Sequence, residues 1–203
     1  MKQLLIAVCL FASALFAYAQ QETIDLPAPT KTGGKPLLEA LNERQSLKDF
    51  TGKEFDNQTL SNLLWAAYGF NRPDKRTVPS SQNRQEIDVY VMFKDGVYFY
   101  DAKENKLKLH AKGDLRDGLG SQTYVNDAAI NLVFVANLDK ASNREAAFID
   151  TGYISQNVYL FCASEGDLGT VARGSFSRTK LPPALNLTDK QEVTLVQAIG
   201  YVK

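Results

Sequence analysis

The chain has 203 residues, and its 23 Lys and Arg balance 23 Asp and Glu, so the formal net charge is zero. Such a chain offers no basic footprint for nucleic acid. One histidine and two widely separated cysteines exclude H-x-H and HExxH zinc sites and any C-x-x-C motif, leaving no metal site to expect. A nucleophilic triad would have to enlist His110. That residue shares a face with Lys106, Lys108 and Lys112 in an alternating stretch, which predicts a solvated surface histidine.

Lys2, the apolar run 4–16 and the small-residue site Ala17-Tyr18-Ala19 read as a signal peptide cleaved before Gln20. The apolar run is short for a bilayer span. Cys9 lies inside it, away from where a lipid-modified cysteine would sit. Export predicts a periplasmic or secreted protein with no membrane anchor after cleavage. Cleavage removes Lys2 and no acid, so the net charge becomes −1. Cys162 is then the one remaining cysteine, and packing must hold the fold without an internal disulfide. The expected organisation is a signal peptide at 1–19, a polar linker or dimer arm at 20–35, and a single domain at 36–203.

Pro36 opens a first helix in which Leu37, Leu38 and Leu41 share a face. A second helix starts at an Asp56 or Asn57 cap. Its Leu60, Leu63, Leu64 and Ala67 recur at helical spacing, Trp65 and Tyr68 widen the apolar face, and Gly69 ends it. From Glu86 the period becomes two: Ile87, Val89, Val91 and Phe93 predict a strand. Asp95-Gly96 turns it into a hairpin with 97–100. A polar turn at 101–105 leads to a short strand at 106–110. Residues 114–127 predict a polar helical piece. The apolar run 130–136 predicts a buried central strand. Residues 143–165 have helical length and apolar side chains on most faces, as a core helix does, and its Cys162 is expected to be an inert buried thiol. Thr188 with Gln191 forms a capping-box pattern for a short helical turn. Residues 193–202 close the chain as a strand. Helices, then strands, then a core helix, then a strand predict an α+β fold with a mostly antiparallel sheet.

Three segments have the residue types of a binding site. In Glu43-Arg44-Gln45-Ser46-Leu47-Lys48-Asp49-Phe50, a guanidinium, a hydroxyl and an ammonium stand at alternate positions, a set suited to phosphate. They converge only where the chain leaves helical geometry. On these eight residues alone, a solvated helix end is the better account, because cations there offset the helix dipole. Pro79-Ser80-Ser81-Gln82-Asn83 is a turn by composition, and alone it reads as an ordinary loop. Its amides and small hydroxyls suit a planar ring, and Asn83 and Gln85 suit hydrogen-bonding ring edges. In 166–176, Gly166, Gly169 and Gly174 permit close approach of backbone to a ligand. A helix cap at Gly166 followed by a turn explains them equally well.

The ordered set carries more than its parts. The 43–50 segment, Leu60-Ser61-Asn62-Leu63-Leu64-Trp65-Ala66-Ala67-Tyr68-Gly69, Pro79-Ser80-Ser81, Gly152-Tyr153-Ile154-Ser155-Gln156-Asn157-Val158-Tyr159-Leu160 and Ile199-Gly200-Tyr201 resemble, in order and spacing, the FMN-dependent nitroreductase family. Tyr100-Asp101, Leu107 and Gly113-Asp114-Leu115-Arg116 look most like its thiazole/oxazole-forming oxidase branch. The Lys-Tyr pair of the peptide-oxidising members has no counterpart: Lys140 is followed by Ala141-Ser142-Asn143-Arg144. The resemblance implies a nitroreductase-like fold, with the sheet and flanking helices built around the long core helix. It also implies FMN held noncovalently at the interface of an intertwined homodimer. By position, Arg44, Ser46 and Lys48 would hold the phosphate, ribityl and pyrimidine side, with Gln45 at a variable place between them. Pro79, Ser80, Ser81 and Asn83 would meet the ring, and Gln122 would reach it from a neighbouring region. Arg173, Gly174 and Ser175 would present a backbone donor to flavin N5. Lys203 would be a further phosphate cation, although Val202 stands where the family commonly has Pro. Gly152 would mark close helix packing.

The function these features predict is an exported FMN-dependent oxidoreductase working by ping-pong hydride transfer through flavin N5 on a small-molecule or peptide substrate. No acid or base side chain is then required for hydride transfer. Nicotinamides are scarce outside the cytoplasm, so a protein, another small reductant, or the substrate itself with oxygen or a quinone accepting would close the cycle. A non-enzymatic flavin- or ligand-binding module is the alternative. A secreted structural domain without a cofactor is the third reading.

Overall fold

A computed structural model of the protein describes residues 22–203; the stretch 1–19 predicted to be a signal peptide lies outside the described residues. The order of elements is β1 (Thr23–Asp25), α1 (Leu37–Glu43), α2 (Asn57–Tyr68), β2 (Phe70–Arg72), β3 (Lys75–Arg76), β4 (Ile87–Met92), β5 (Gly96–Asp101), β6 (Lys106–Lys112), α3 (Tyr124–Asp127), β7 (Ile130–Asn137), α4 (Arg144–Glu165), β8 (Leu168–Arg173), α5 (Leu181–Ala184) and β9 (Gln191–Tyr201). Seven strands form one sheet in the order β1-β6-β5-β4-β7-β9-β8. Every pairing in it is antiparallel, as the alternation of elements predicts.

β7 explains itself. Its first seven residues are all buried, because both faces of the sheet are covered. Leu132 and Phe134 point into the core shared with α2 and α4. Val133 and Val135 point the other way, against Leu119, Val125, Leu181 and Leu185. A strand covered on both sides needs an unbroken apolar run, whereas one-sided strands alternate. The helices also start where expected. Asp56 accepts the Thr59 N–H at 2.7 Å, and Asn143 accepts the Ala146 N–H at 2.7 Å; both are side-chain N-caps. Gly166 ends α4 at φ +86° with its N–H on the Cys162 carbonyl, a left-handed cap that suits glycine.

Several expectations change. The polar stretch 20–35 is more than a linker: β1 pairs with β6 of the same chain. Residues 114–127 are broken into a 3-10 turn at Arg116–Leu119 and the four-residue α3. Gly118 lies against the Leu181 backbone and Gly120 sits at φ +117°, so the glycines interrupt what polarity alone makes look helical. Residues 168–173 are the edge strand β8 rather than a glycine loop. Thr188 and Gln191 do bond each other, but they lead directly into β9 instead of a helical turn. The terminal Gly69 also ends α2 in extended geometry.

His110 is only partly solvated. The β5–β6 register shifts so that Val97 opposes Ala111 while Tyr98 opposes Leu109. His110 is the extra residue of that bulge, and it stays on the side of the sheet of Phe99, the partner of Lys108, where Tyr90 and Leu185 cover it. Its Nε2 lies 2.7 Å from the Leu185 carbonyl, and its ring meets Tyr90 edge-on at 4.9 Å. A packed, partly buried side chain of this kind is structural.

Candidate flavin site

α1 ends at Glu43, and Arg44 has φ −55°, ψ 120°. The chain therefore leaves helical geometry at the first of the three alternating polar residues, the condition under which they converge. Leu47 then donates its N–H to the Thr170 carbonyl of β8 at 3.1 Å. This contact depends on Gly169: a Cβ there would stand 2.8 Å from the Leu47 Cβ and 2.3 Å from Val202 Cγ1. With Leu47 turned inward, Ser46 and Lys48 are exposed and Arg44 is half-buried.

Two tyrosines organise this face. The Tyr159 phenol accepts the Ala172 N–H at 2.9 Å and lies 3.0 Å from Ser46 Oγ. Since it accepts from Ala172, its own hydrogen is free for Ser46. The Arg44 guanidinium stands 5.4 Å from the Tyr159 ring centre. Tyr124 lies between Lys48, 5.8 Å from its centre, and Arg173, 5.4 Å from it. Such cation–π contacts steady a charge without neutralising it. Arg173 donates to Gln122 Oε1 and to the Leu119 carbonyl, and its buried Nε has no partner among the described residues. None of Arg44, Lys48 and Arg173 forms an ion pair with a described residue. Three uncompensated cations and an orphaned guanidinium N–H form a donor set that fits a phosphate-bearing anion.

The structure therefore brings Arg44, Ser46, Lys48, Gln122 and Arg173 together around β8. Gln45 is exposed among them, and Gly174 and Ser175 are exposed just past the strand. Nothing lies within 4 Å of a Cβ placed on Gly174, so its backbone is open to approach. Lys203 is nearby but engaged: its Nζ meets Asp49 at 2.9 Å and its N–H binds the Asp49 carbonyl. Beside Gln122 opens a cleft of about 630 Å³, lined also by Arg116, Ser121 and Ser177.

The 79–83 loop sits elsewhere. Its Ser81 N–H donates to Asp150 in α4 at 2.7 Å, nine residues before Tyr159 and so roughly 13 Å away along the helix. Pro79 is exposed. The side chains expected to face a ring are turned to the protein instead. Ser80 Oγ accepts the Gln85 N–H at 3.0 Å, Ser81 Oγ is 2.8 Å from Ser142 Oγ, and Asn83 Nδ2 reaches the Asp74 carbonyl. Gln85 binds the same carbonyl at 2.7 Å and accepts from Arg76. Gln82, Asn83 and Gln85 all have positive φ, at 53°, 57° and 51°. Such residues cost of order 1 kcal/mol each and persist only where their surroundings fix them. What this loop offers outward is shaped backbone.

Tyr159, Tyr124 and Asp150 were not singled out from the sequence. Tyr159 and Asp150 belong to a helix whose residues read as core, and only the fold shows what they touch. Cys162 is buried, and burial pushes its thiol well above the ordinary range, so it is inert as expected. Among the described residues no group of His, Cys, Asp and Glu fits a metal.

This antiparallel sheet, wrapped around one long helix and carrying a cationic face at its β8 edge, defines a class that comparison then names. The chain belongs to the nitroreductase family, whose pattern matches residues 41–201. A nitroreductase-like protein of Methanocaldococcus jannaschii is 27% identical over 183 residues, covering 81% of this chain and 90% of that one. A nitroreductase-like structure from Ralstonia eutropha is 37% identical with a TM-score of 0.82, covering 89% and 90% of the two chains. One from Desulfovibrio desulfuricans, solved in complex with FMN, is 19% identical with a TM-score of 0.64, covering 83% and 87%. The Escherichia coli microcin synthetase McbBCD complex holds a chain 18% identical with a TM-score of 0.68, covering 94% and 82%. At that identity the likeness is one of fold alone.

Proposed function

We propose that the protein is an exported FMN-dependent oxidoreductase, with Arg44, Ser46, Lys48 and Arg173 forming the phosphate and pyrimidine end of its cofactor site. The observation that carries this reading is the set of three unpaired cations on Tyr159 and Tyr124 in a chain of the nitroreductase family. When bound, FMN would supply hydride exchange at N5, used in turn by a donor and an acceptor. The chain's own part is to bind and orient. Arg44 and Lys48 would neutralise the phosphate, and the Ser46 hydroxyl would donate to the ribityl side. Arg173, held by Gln122 and Leu119, would favour the reduced, anionic pyrimidine. The open backbone at Gly174 and Ser175 would offer the N5 donor, and the 79–83 loop would lie against the ring.

The same reading includes a homodimer with the cofactor at its interface. Leu37, Leu38 and Leu41 of α1 are 62%, 79% and 46% exposed, and Ile149 and Tyr153 of α4 are 57% and 44% exposed. A Cβ on Gly152, between the last two, would meet nothing within 4 Å, so the close packing expected there is not within this chain. A groove of about 430 Å³ runs between α1, α2 and α4. Large apolar side chains exposed on two packed helices would be covered in such a dimer.

Purified mature protein should be yellow or become so with added FMN, and it should sediment as a dimer. Absence of flavin binding in both preparations sinks the cofactor assignment. Anaerobic reduction with nicotinamides, dithiols and quinols then separates an enzyme from a flavin-binding module that turns nothing over. It also identifies the donor used outside the cytoplasm.

A further inference from the structure

Beneath the 79–83 loop lies a buried acidic pair that the proposed chemistry does not use. Glu86 is 1% exposed and Asp150 is 5% exposed. Glu86 lies one position before β4, and its main-chain carbonyl is held by the Asn137 N–H of β7 at 2.9 Å, so its backbone is fixed at the edge of the sheet. Neither of its carboxylate oxygens has a hydrogen-bond partner among the described residues. Burial is the main cause that raises its carboxyl to about 7, and the Asp150 carboxylate beside it adds to the rise. Charged and titratable groups from several elements act on this site. Asp150 approaches from α4, Arg84 from the loop, and the Tyr68 phenol from α2, its ring 4.1 Å from the Arg76 guanidinium. Arg84 is exposed and spends its donors on Gln82 and the Lys140 carbonyl, so it offsets little.

Two ionised carboxylates are acceptors only, and they can share a contact only with a proton between them. Asp150 already accepts the Ser81 N–H. The stable arrangement has Glu86 protonated and donating to Asp150, while the remaining Asp150 charge holds the loop. Loss of that proton to solvent leaves two negative charges in a closed space.

We propose that Glu86 and Asp150 form a proton-operated clasp on the 79–83 loop, in which Glu86 is a positioning residue: protonated, it fixes the carboxylate that holds the Ser81 amide; ionised, it repels that carboxylate and frees the loop. The consequence for cofactor binding rests on the reading that this loop meets the flavin ring. The clasp itself does not. The folded state keeps this proton at a higher pH than the unfolded chain does. Its stabilising effect is complete below the ordinary glutamate range and is lost as pH rises through about 7.

The test is amide hydrogen exchange by NMR on the apo protein between pH 6 and 8.5, read as protection factors, with FMN titrations at the same pH values. Ser81 protection should fall at least about ten-fold across this range while β7 amides hold. The FMN Kd should rise about five-fold or more. In Glu86→Gln the carboxamide donates to Asp150 at every pH, so both profiles should be flat. Asp150→Asn removes the repulsion while keeping an acceptor for Ser81; it should flatten the amide profile too and serves if the first variant does not fold. A pH-independent Ser81 amide in the native protein overturns the clasp, and so does an unchanged fall in both variants. A protected, pH-dependent Ser81 in a protein that binds no FMN supports the clasp and overturns the flavin reading alone. A pH-dependent amide with an invariant FMN Kd overturns the positioning role.

Discussion

The two ends of α4 support two different kinds of surface. Near Tyr159 the protein presents side chains: Arg44, Lys48 and Arg173 rest on aromatic rings or carbonyls and keep their charge uncompensated. Near Asp150 the arrangement is inverted. The side chains of Ser80, Ser81, Asn83 and Gln85 are consumed in holding their own loop, and backbone is left facing outward. A charged group such as phosphate is best met by mobile, strong donors, whereas a flat ring is best met by a surface of fixed shape. The first end therefore depends on charge and the second on geometry, and changes to them should fail in different ways.

The largest effect should come from the charged end. Arg44→Ala with Lys48→Ala should weaken FMN binding by about 100-fold or more, since each charge-assisted bond is worth roughly 1.5–3 kcal/mol. The melting temperature of the apo protein should stay nearly unchanged. Equal loss of affinity and stability in that variant would erase the contrast. Asp150→Ala should act the other way. It leaves a part-buried N–H without an acceptor and should cost about 1 kcal/mol, seen as a melting temperature lower by a few degrees. Gly169→Ala should sit between the two, because it lifts the 44–48 segment off β8 by steric contact with Leu47. Flavin affinity should fall while the sheet, followed by circular dichroism, persists. The smallest change is Tyr159→Phe, which removes the hydroxyl linking Ala172 to Ser46. It should cost about 1 kcal/mol and lower FMN affinity only a few-fold in a fluorescence titration.

The contrast between the two ends also marks what a linear reading can reach. The helices α2 and α4, the β4–β5 hairpin and strands β7 and β9 were legible because each declares itself by local period or capping. The cations of the 44–48 segment were legible as residue types. β8 was not, since Gly166, Gly169 and Gly174 looked like a loop when Gly169 in fact makes room for Leu47. The cover over His110 comes from Leu185, 75 positions away, which no alternation pattern announces. The contacts that turn residues into a site are the longest-range ones. Ser46 meets Tyr159 across 113 positions, and Ser81 meets Asp150 across 69. An acid inside a strand-opening sequence, such as Glu86, looks like any surface acid until the fold buries it.

The contact between Leu47 and Thr170 has one more consequence. β8 and β1 are the two outer strands of the seven-stranded sheet. An uncovered outer strand is a template for other chains, and proteins guard it with short strands or covering segments. At one side the guard is β1 itself, three residues long and ending in an acid, Asp25, paired with Lys106. At the other side it is the 44–48 segment, which occupies the Thr170 carbonyl, together with the Tyr159 phenol on the Ala172 N–H. The residues that would grip a cofactor thus also occupy hydrogen-bonding groups of an outer strand, and variants that loosen them should expose that strand to open-ended pairing and be sought first among the insoluble fractions.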